Sequence, residues 1–521
     1  MSRSARAAKG FAASIVQFCA QMLVQVLLAP VVLKVAGRET LGAFAAIMQM
    51  LGFLTILDVV GNWSLERFLG QATGLDDGGA RFRTIFTTAR TVYLFINGAF
   101  AILVLLFSTV VGRMFHLSPD IAREARHALY VLAVWTVVVR APLAAYNNAL
   151  MAIQDMAAAN LISALGMIVR SVAALGFVLM GGGLFGLILA GTTGEGIVSI
   201  LHRVRFQRRN PGLMPGWGLP DKKLMRELLS FGGHTALVNA GSMLMFSSGN
   251  FLAGMTNGAA AASSFYTTQM PTLAVYNLLN RMNGSTMPAL NELYGRRDLE
   301  RVRQTFIRLL RVLLLMLFPL SMGVLLFNHD IVLCWVGPKQ YAGTLLTVSL
   351  SLYCVINGLQ GIATQYAVVF GWVRLLAIAA ILQGIANFGL GFYFGRHLGL
   401  GGITLALVIV LLPTVVIVLH KISRYLELSV AGLIGGSAIR SAIPLAAATV
   451  VGSFAHSLVH IRIHHFGAFL LEGSAFSLVY LVLAYFMSMA DQDRNDVKRA
   501  ARAVLSRIRG AGERVTAVLG R

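Results

Sequence analysis

The stretch LGGITLALVIVLLPTVVIVLH, residues 400–420, contains no Asp, Glu, Lys or Arg. A helix that crosses the hydrocarbon of a bilayer uses about 20 consecutive, mostly apolar residues, and this run reads as one such span. The rest of the chain has the same character. Of its 521 residues, 57% are hydrophobic and only 12% charged, with a mean hydropathy of +0.74; soluble domains carry about 25% charged side chains. At about 20 residues per span, roughly 297 apolar residues supply up to about fifteen spans. That excludes a soluble multidomain enzyme, a disordered chain and a secreted disulfide scaffold. It predicts an all-α polytopic membrane protein.

The apolar runs predict fourteen transmembrane helices, near 11–35, 41–63, 86–112, 126–150, 157–180, 184–202, 228–253, 260–285, 306–328, 342–370, 372–395, 400–420, 438–458 and 467–489. Arg3, Arg6 and Lys9 precede the first, which continues to about Val35 and reads as an uncleaved span rather than a signal peptide. The formal charge of +22 invites a nucleic-acid reading, and its distribution answers it. With the N-terminus inside, the inward segments hold 32 of the 43 Lys and Arg and the outward ones eight. This is the positive-inside pattern. It predicts two cytoplasmic termini and an even number of spans, and it removes the need for nucleic acid.

The segments between spans are short. Gly181-Gly182-Gly183 is barely a turn, and the longest cytoplasmic segment, about Arg203 to Arg226, contains Pro211, Pro215 and Pro220 with Gly216 and Gly218. That composition predicts an extended linker between an N-terminal six-helix lobe (1–210) and a C-terminal one (211–425). Two additional helices (426–490) follow, and then a tail (491–521). No segment outside the membrane is long enough to fold a catalytic domain, and neither a phosphate-cradling G-x-x-x-x-G-K-[ST] loop nor an H-E-x-x-H motif is present. Cys19, Cys334 and Cys354 have neither disulfide nor metal spacing, and Asp491-Gln492-Asp493 reads as a hydrated helix end. No cofactor is expected. In the tail, Val497, Ala501, Val504, Leu505 and Ile508 form an apolar stripe flanked by Lys498, Arg499 and Arg502. It reads as a helix lying on an anionic leaflet, with a partner-binding helix as the alternative.

The halves resemble each other weakly. With an offset of 221, Gly37, Phe44, Leu57, Asn62 and Ser64 fall on Gly258, Phe265, Leu278, Asn283 and Ser285. Both segments are the first hairpin of their half, in the same orientation, as parallel repeats of transporters require.

Charged and amide side chains inside spans are the candidate functional groups, because an Arg at the bilayer centre costs about 2.5–3.5 kcal/mol and normally faces a cavity or a partner. They are Arg140 and Asn147, seven residues apart on the fourth span, Arg170 on the fifth, and Arg281 on the eighth with Asn277 and Asn280. Arg140 and Arg281 also stand where they could snorkel to the inner interface. Asn357, Gln360 and Gln365 on the tenth span, Asn239 on the seventh and Gln269 on the eighth could bond polar groups of a solute or simply each other. Glu195, between Gly194 and Gly196, is the one acidic residue well inside a span. It and the more peripheral Asp58 could couple transport to a proton or sodium gradient, or Glu195 could pair with Arg170.

Several stretches carry a family resemblance. They are Pro30-Val31-Val32-Leu33-Lys34-Val35-Ala36-Gly37-Arg38-Glu39-Thr40-Leu41-Gly42-Ala43-Phe44, then Leu57-Asp58-Val59-Val60-Gly61, then Met287-Pro288-Ala289-Leu290-Asn291-Glu292-Leu293 and Leu333-Cys334-Trp335-Val336-Gly337. Over roughly residues 10–420 the chain resembles the polysaccharide transporters, the O-antigen (Wzx-like) and exopolysaccharide flippases of the multidrug/oligosaccharidyl-lipid/polysaccharide (MOP) exporter superfamily. It departs in having Asp58-Val59-Val60-Gly61 for the usual Asp-Leu-Gly, and in lacking the first-helix arginine of a lipid II flippase. The resemblance implies a non-enzymatic flippase in the bacterial inner membrane. Its substrate would be a polyprenyl-diphosphate-linked oligosaccharide for surface polysaccharide, lipopolysaccharide or exopolysaccharide. The implied partners are membrane lipids, a polysaccharide polymerase and chain-length proteins. One rival is a cation-coupled multidrug exporter of the MATE type, which should carry acidic residues in its first or seventh helix. A membrane-embedded polymerase or acyltransferase, with His464-His465 as its foothold, is a more distant one.

Overall fold

A computed structural model describes residues 26–54, 65, 68–73, 77–216, 220–460, 466–489 and 494. The segment holding Asp58, the His464-His465 pair and the basic tail lie outside the described residues, as does most of the first span. Among the described residues there is no strand. The helices are α1 (Val26–Val35), α2 (Gly37–Leu54), α3 (Ala80–Met114), α4 (Pro119–Ala152), α5 (Met156–Leu179), α6 (Gly183–Arg209), α7 (Lys222–Phe246) and α8 (Gly249–Asn257). They continue with α9 (Ala259–Gly295), α10 (Leu299–Val336), α11 (Thr344–Val369), α12 (Val373–His397), α13 (Leu400–Tyr425), α14 (Val430–His460) and α15 (Phe466–Met487). A helix stands at each of the fourteen expected positions. By length and composition, nine of those described can cross a membrane, so this is a multi-pass, all-α membrane protein.

Helix pairing runs in the same order in both halves. Helix α3 packs on α4, α5 on α6 and α4 on α6; correspondingly α10 packs on α11, α12 on α13 and α11 on α13. The offset of 221 has a backbone counterpart. Gly37 has φ +86° and Gly258 φ +83°, each in a tight turn just before the longer helix of its hairpin. An L side chain pays a steric cost in that region of φ, and glycine does not. The last two helices lean on α10, where Phe327 meets the Phe476 ring edge-on at 5.5 Å and Tyr480 donates to the Leu315 carbonyl at 2.7 Å.

Two expectations are corrected. The seventh span is broken: α7 ends at Phe246, Ser247 and Ser248 interrupt it, and α8 resumes at Gly249. It also begins six residues before the predicted start, which adds an exposed Glu227 to a helix whose predicted range, 228–253, holds no Asp or Glu. The extended linker is both shorter than predicted and docked. Helix α6 runs on to Arg209, and the connection to Lys222 is stitched to α3. Arg83 donates to the Gly212 carbonyl at 2.7 Å, Gly216 N–H donates to Thr87 at 3.0 Å and Asp221 N–H to Thr88 at 3.1 Å. Proline and glycine mark the irregular backbone, but the side chains that pin it lie more than 100 residues away in sequence.

The halves meet at the end that bears Gly37 and Gly258. A β-carbon on Gly42 would overlap the Ala259 carbonyl oxygen, so α2 and α9 touch backbone to backbone. Around this contact Arg38 donates to Ser264 at 2.9 Å, Ala259 N–H to the Phe115 carbonyl at 3.1 Å and Phe251 N–H to Gln49 at 2.8 Å. Phe115 and Phe53 both pack edge-on against Phe251 at 5.6 Å.

Candidate functional site

Helices α3 to α6 line two chambers, of about 320 Å³ and about 390 Å³, that share Arg140, Arg170 and Glu195, and α1, α2 and α9 complete the larger. The smaller chamber is the more polar of the two, with Asn147, Ser163, Ser199 and His202 on its walls. The larger is mostly apolar, with Phe44, Met48, Leu132, Trp135 and Tyr266. Tyr266 comes from α9, so this chamber spans both halves. The three charged side chains mark the boundary between the two environments.

Local sequence explains how Arg140 reaches this boundary. Pro142 has no N–H to give back along α4, and the residues before it, Thr136–Arg140, form a π-turn closed by Ala141 N–H on the Thr136 carbonyl. Such bulges re-aim side chains within a helix. Arg140 is half-buried, its guanidinium 5.5 Å from the centre of the Phe100 ring, where the ring face favours a cation. Asn147, a further seven residues along α4, faces the same chamber.

Helices α5 and α6 approach closely because both present glycine. A β-carbon on Gly194 would stand 2.6 Å from Arg170 Cβ and 2.9 Å from the Gly166 carbonyl oxygen. Small residues permit this proximity in lipid, where packing replaces the hydrophobic drive. Arg170 and Glu195 are therefore carried on adjoining backbones, and both are exposed to the cavity. The Arg170–Glu195 pairing left open by the sequence is not formed. Among the described residues no ion pair joins them.

Deeper in the polar chamber, buried His202 bonds through Nε2 to the Ala159 carbonyl at 3.3 Å. Since a carbonyl only accepts, that nitrogen carries the hydrogen. Tyr93 is also fully buried, and its hydroxyl accepts from Asn148 at 2.8 Å. At the arginine-rich end, Arg205 Nε and the Asp155 carboxylate form a 2.8 Å ion pair between α6 and the start of α5.

The remaining sequence candidates stand elsewhere. Asn277 is half-buried on α9, Asn357 is buried on α11, and Gln360 has a buried Oε1 with no partner among the described residues. None of the three lines either chamber. Asn280 and Arg281 belong to α9, but their side chains lie outside the described residues, as does that of Asn239. Gln269 donates to Asn250 at 2.9 Å and Gln365 to Thr286 at 2.7 Å, so both join helices. Ser163, Ser199 and His202 are cavity residues that sequence alone does not single out. They sit seven positions before Arg170 and four and seven after Glu195, which is the helical spacing of a shared face.

In the second half, Asn387 of α12 serves the break between α7 and α8. Its Nδ2 donates to the Met245 carbonyl at 3.1 Å and to Ser248 Oγ at 3.0 Å. The neighbouring cavity is only about 50 Å³. Cys334 is exposed and Cys354 buried, and no metal-holding cluster occurs among the described residues.

A family model described as "Polysaccharide biosynthesis protein" matches residues 37–343. No curated protein matches the chain by sequence. Among solved structures, the lipid II flippase MurJ in an inward closed conformation is similar at a TM-score of 0.67 and 15% identity, over 91% of this chain and 98% of that one. A MATE-family multidrug transporter of the MOP superfamily, inward-facing, is similar at 0.63 and 14%, over 78% and 94%. A MOP-superfamily transporter from Pyrococcus furiosus, described as having a binding pocket of reverse polarity, is similar at 0.57 and 15%, over 82% and 96%. At these identities the likeness is one of fold.

Proposed function

Since the chain belongs to the polysaccharide biosynthesis protein family, we propose that it flips a polyprenyl-diphosphate-linked oligosaccharide across the bacterial inner membrane by alternating access. In this reading it transports and does not catalyse. The two lobes are residues 1–210 and 211–425, with 426–490 an added helix pair and both termini cytoplasmic. A sugar head bearing a diphosphate cannot enter hydrocarbon unaided, because each unpaired polar group costs several kcal/mol.

The observation that carries the proposal is the cavity boundary at Arg140 and Arg170. A guanidinium fork matches phosphate oxygens two at a time, and the polar chamber beside it offers Asn147, Ser163 and Ser199 to sugar hydroxyls. The lipid tail would remain in the bilayer. Arg281, Asn277, Asn280, Asn357 and Gln360 are proposed to engage the head group as it passes along the second lobe. Glu195 and Asp58 are proposed to couple the cycle to a proton or sodium gradient. Closure of α2 on α9 at the Gly42 end supports reading this conformation as the one that receives substrate from the cytoplasm.

The decisive experiment replaces Arg170 and Arg281 singly with alanine in the native host. The expected outcome is loss of surface polysaccharide with normal membrane insertion of the protein. Wild-type polysaccharide in both strains would overturn the proposal.

A further inference from the structure

Glu195 is the one carboxylate among the described residues lining the two chambers. It is exposed to the cavity beside Arg170 and shares both linings with Arg140, yet no described cation forms an ion pair with it. Gly194 abuts Arg170, so the Glu195 and Arg170 side chains are carried on adjoining backbones. A carboxylate thus stands on the wall where a diphosphate would have to bind.

We infer that Glu195 is a resident anion that competes, through like-charge repulsion, with the diphosphate at the guanidinium group of Arg170. This rests on the reading of the cavity as a diphosphate site. A guanidinium fork that faces a cavity holds pyrophosphate, and a transporter must also release it. One like charge within several ångströms weakens binding of a multivalent anion by about tenfold or more at the effective dielectric of a protein. Glu195 supplies that weakening.

The test titrates inorganic pyrophosphate into the full-length protein in lipid nanodiscs, at fixed pH, over a series of salt concentrations. E195Q, which keeps the shape and removes the charge, is expected to bind about tenfold or more tightly and to lose affinity more steeply with salt. E195D should stay near wild type, and R170A should bind about tenfold or more weakly. E195A replaces E195Q if the amide fails to insert. Unchanged or weaker binding in the charge-removing variant, with R170A still impaired, overturns the competing role and leaves the cavity reading standing. Tightening in E195D equal to that in E195Q also overturns it, because packing would then be the cause. Unchanged binding in R170A overturns the cavity reading itself.

Discussion

Among the described residues, the first half places Arg170 and Glu195 in open space, whereas several polar side chains of the second half bond one another. Arg170 and Glu195 stand exposed between two chambers of several hundred cubic ångströms. In the second half, Gln269 bonds Asn250, Asn328 bonds Thr347, and the Ser321 and Ser351 hydroxyls meet at 2.8 Å. Asn387 meanwhile serves a broken helix. Both halves pair their helices in the same order, so the difference lies in what the polar groups are for. In lipid a satisfied polar pair is a joint that contributes about 1 kcal/mol. A charge left facing a cavity is an expense that only a ligand offsets.

That contrast can be broken from either side. The largest effect is expected at Arg170: alanine should lower lipid-linked sugar transport in proteoliposomes by tenfold or more, roughly the loss of one charge-assisted phosphate contact, with little change in thermal unfolding. Equal loss of transport and of stability would make Arg170 a joint as well. Asn387→Leu should do the reverse. It strips the Met245 carbonyl and Ser248 of their donor and should cost about 1–3 kcal/mol of stability, read as a lower unfolding temperature, while pyrophosphate affinity stays at the wild-type value. A drop in that affinity would join the two halves into one site. Ser321→Ala is the mildest test, expected to cost about 1 kcal/mol with transport intact.

The sequence makes the spans legible because burying apolar helices in lipid is a local property, readable residue by residue. It also makes part of the cavity legible: Arg140 and Asn147 share a face, and Arg170 is an intramembrane charge that packing had to accommodate. The break at Ser247–Ser248 is not legible, since two serines before a glycine are tolerated within spans and the side chain that sustains the gap, Asn387, is about 140 positions away. Nor does the sequence reveal that Arg170 and Glu195 stay apart. That follows from glycine-to-backbone packing of α5 on α6, which leaves both side chains pointing into the cavity instead of across a helix interface.

The meeting of α2 and α9 at Gly42 has a consequence for energy conservation. A barrier built from side chains can breathe one rotamer at a time, and each fluctuation admits a water file. Where main chain lies directly on main chain there is no rotamer to flip, and passage requires the two helices to separate as bodies. A bulky solute with a long lipid could thus be handed across while the ion gradient of the host membrane is spared a continuous leak.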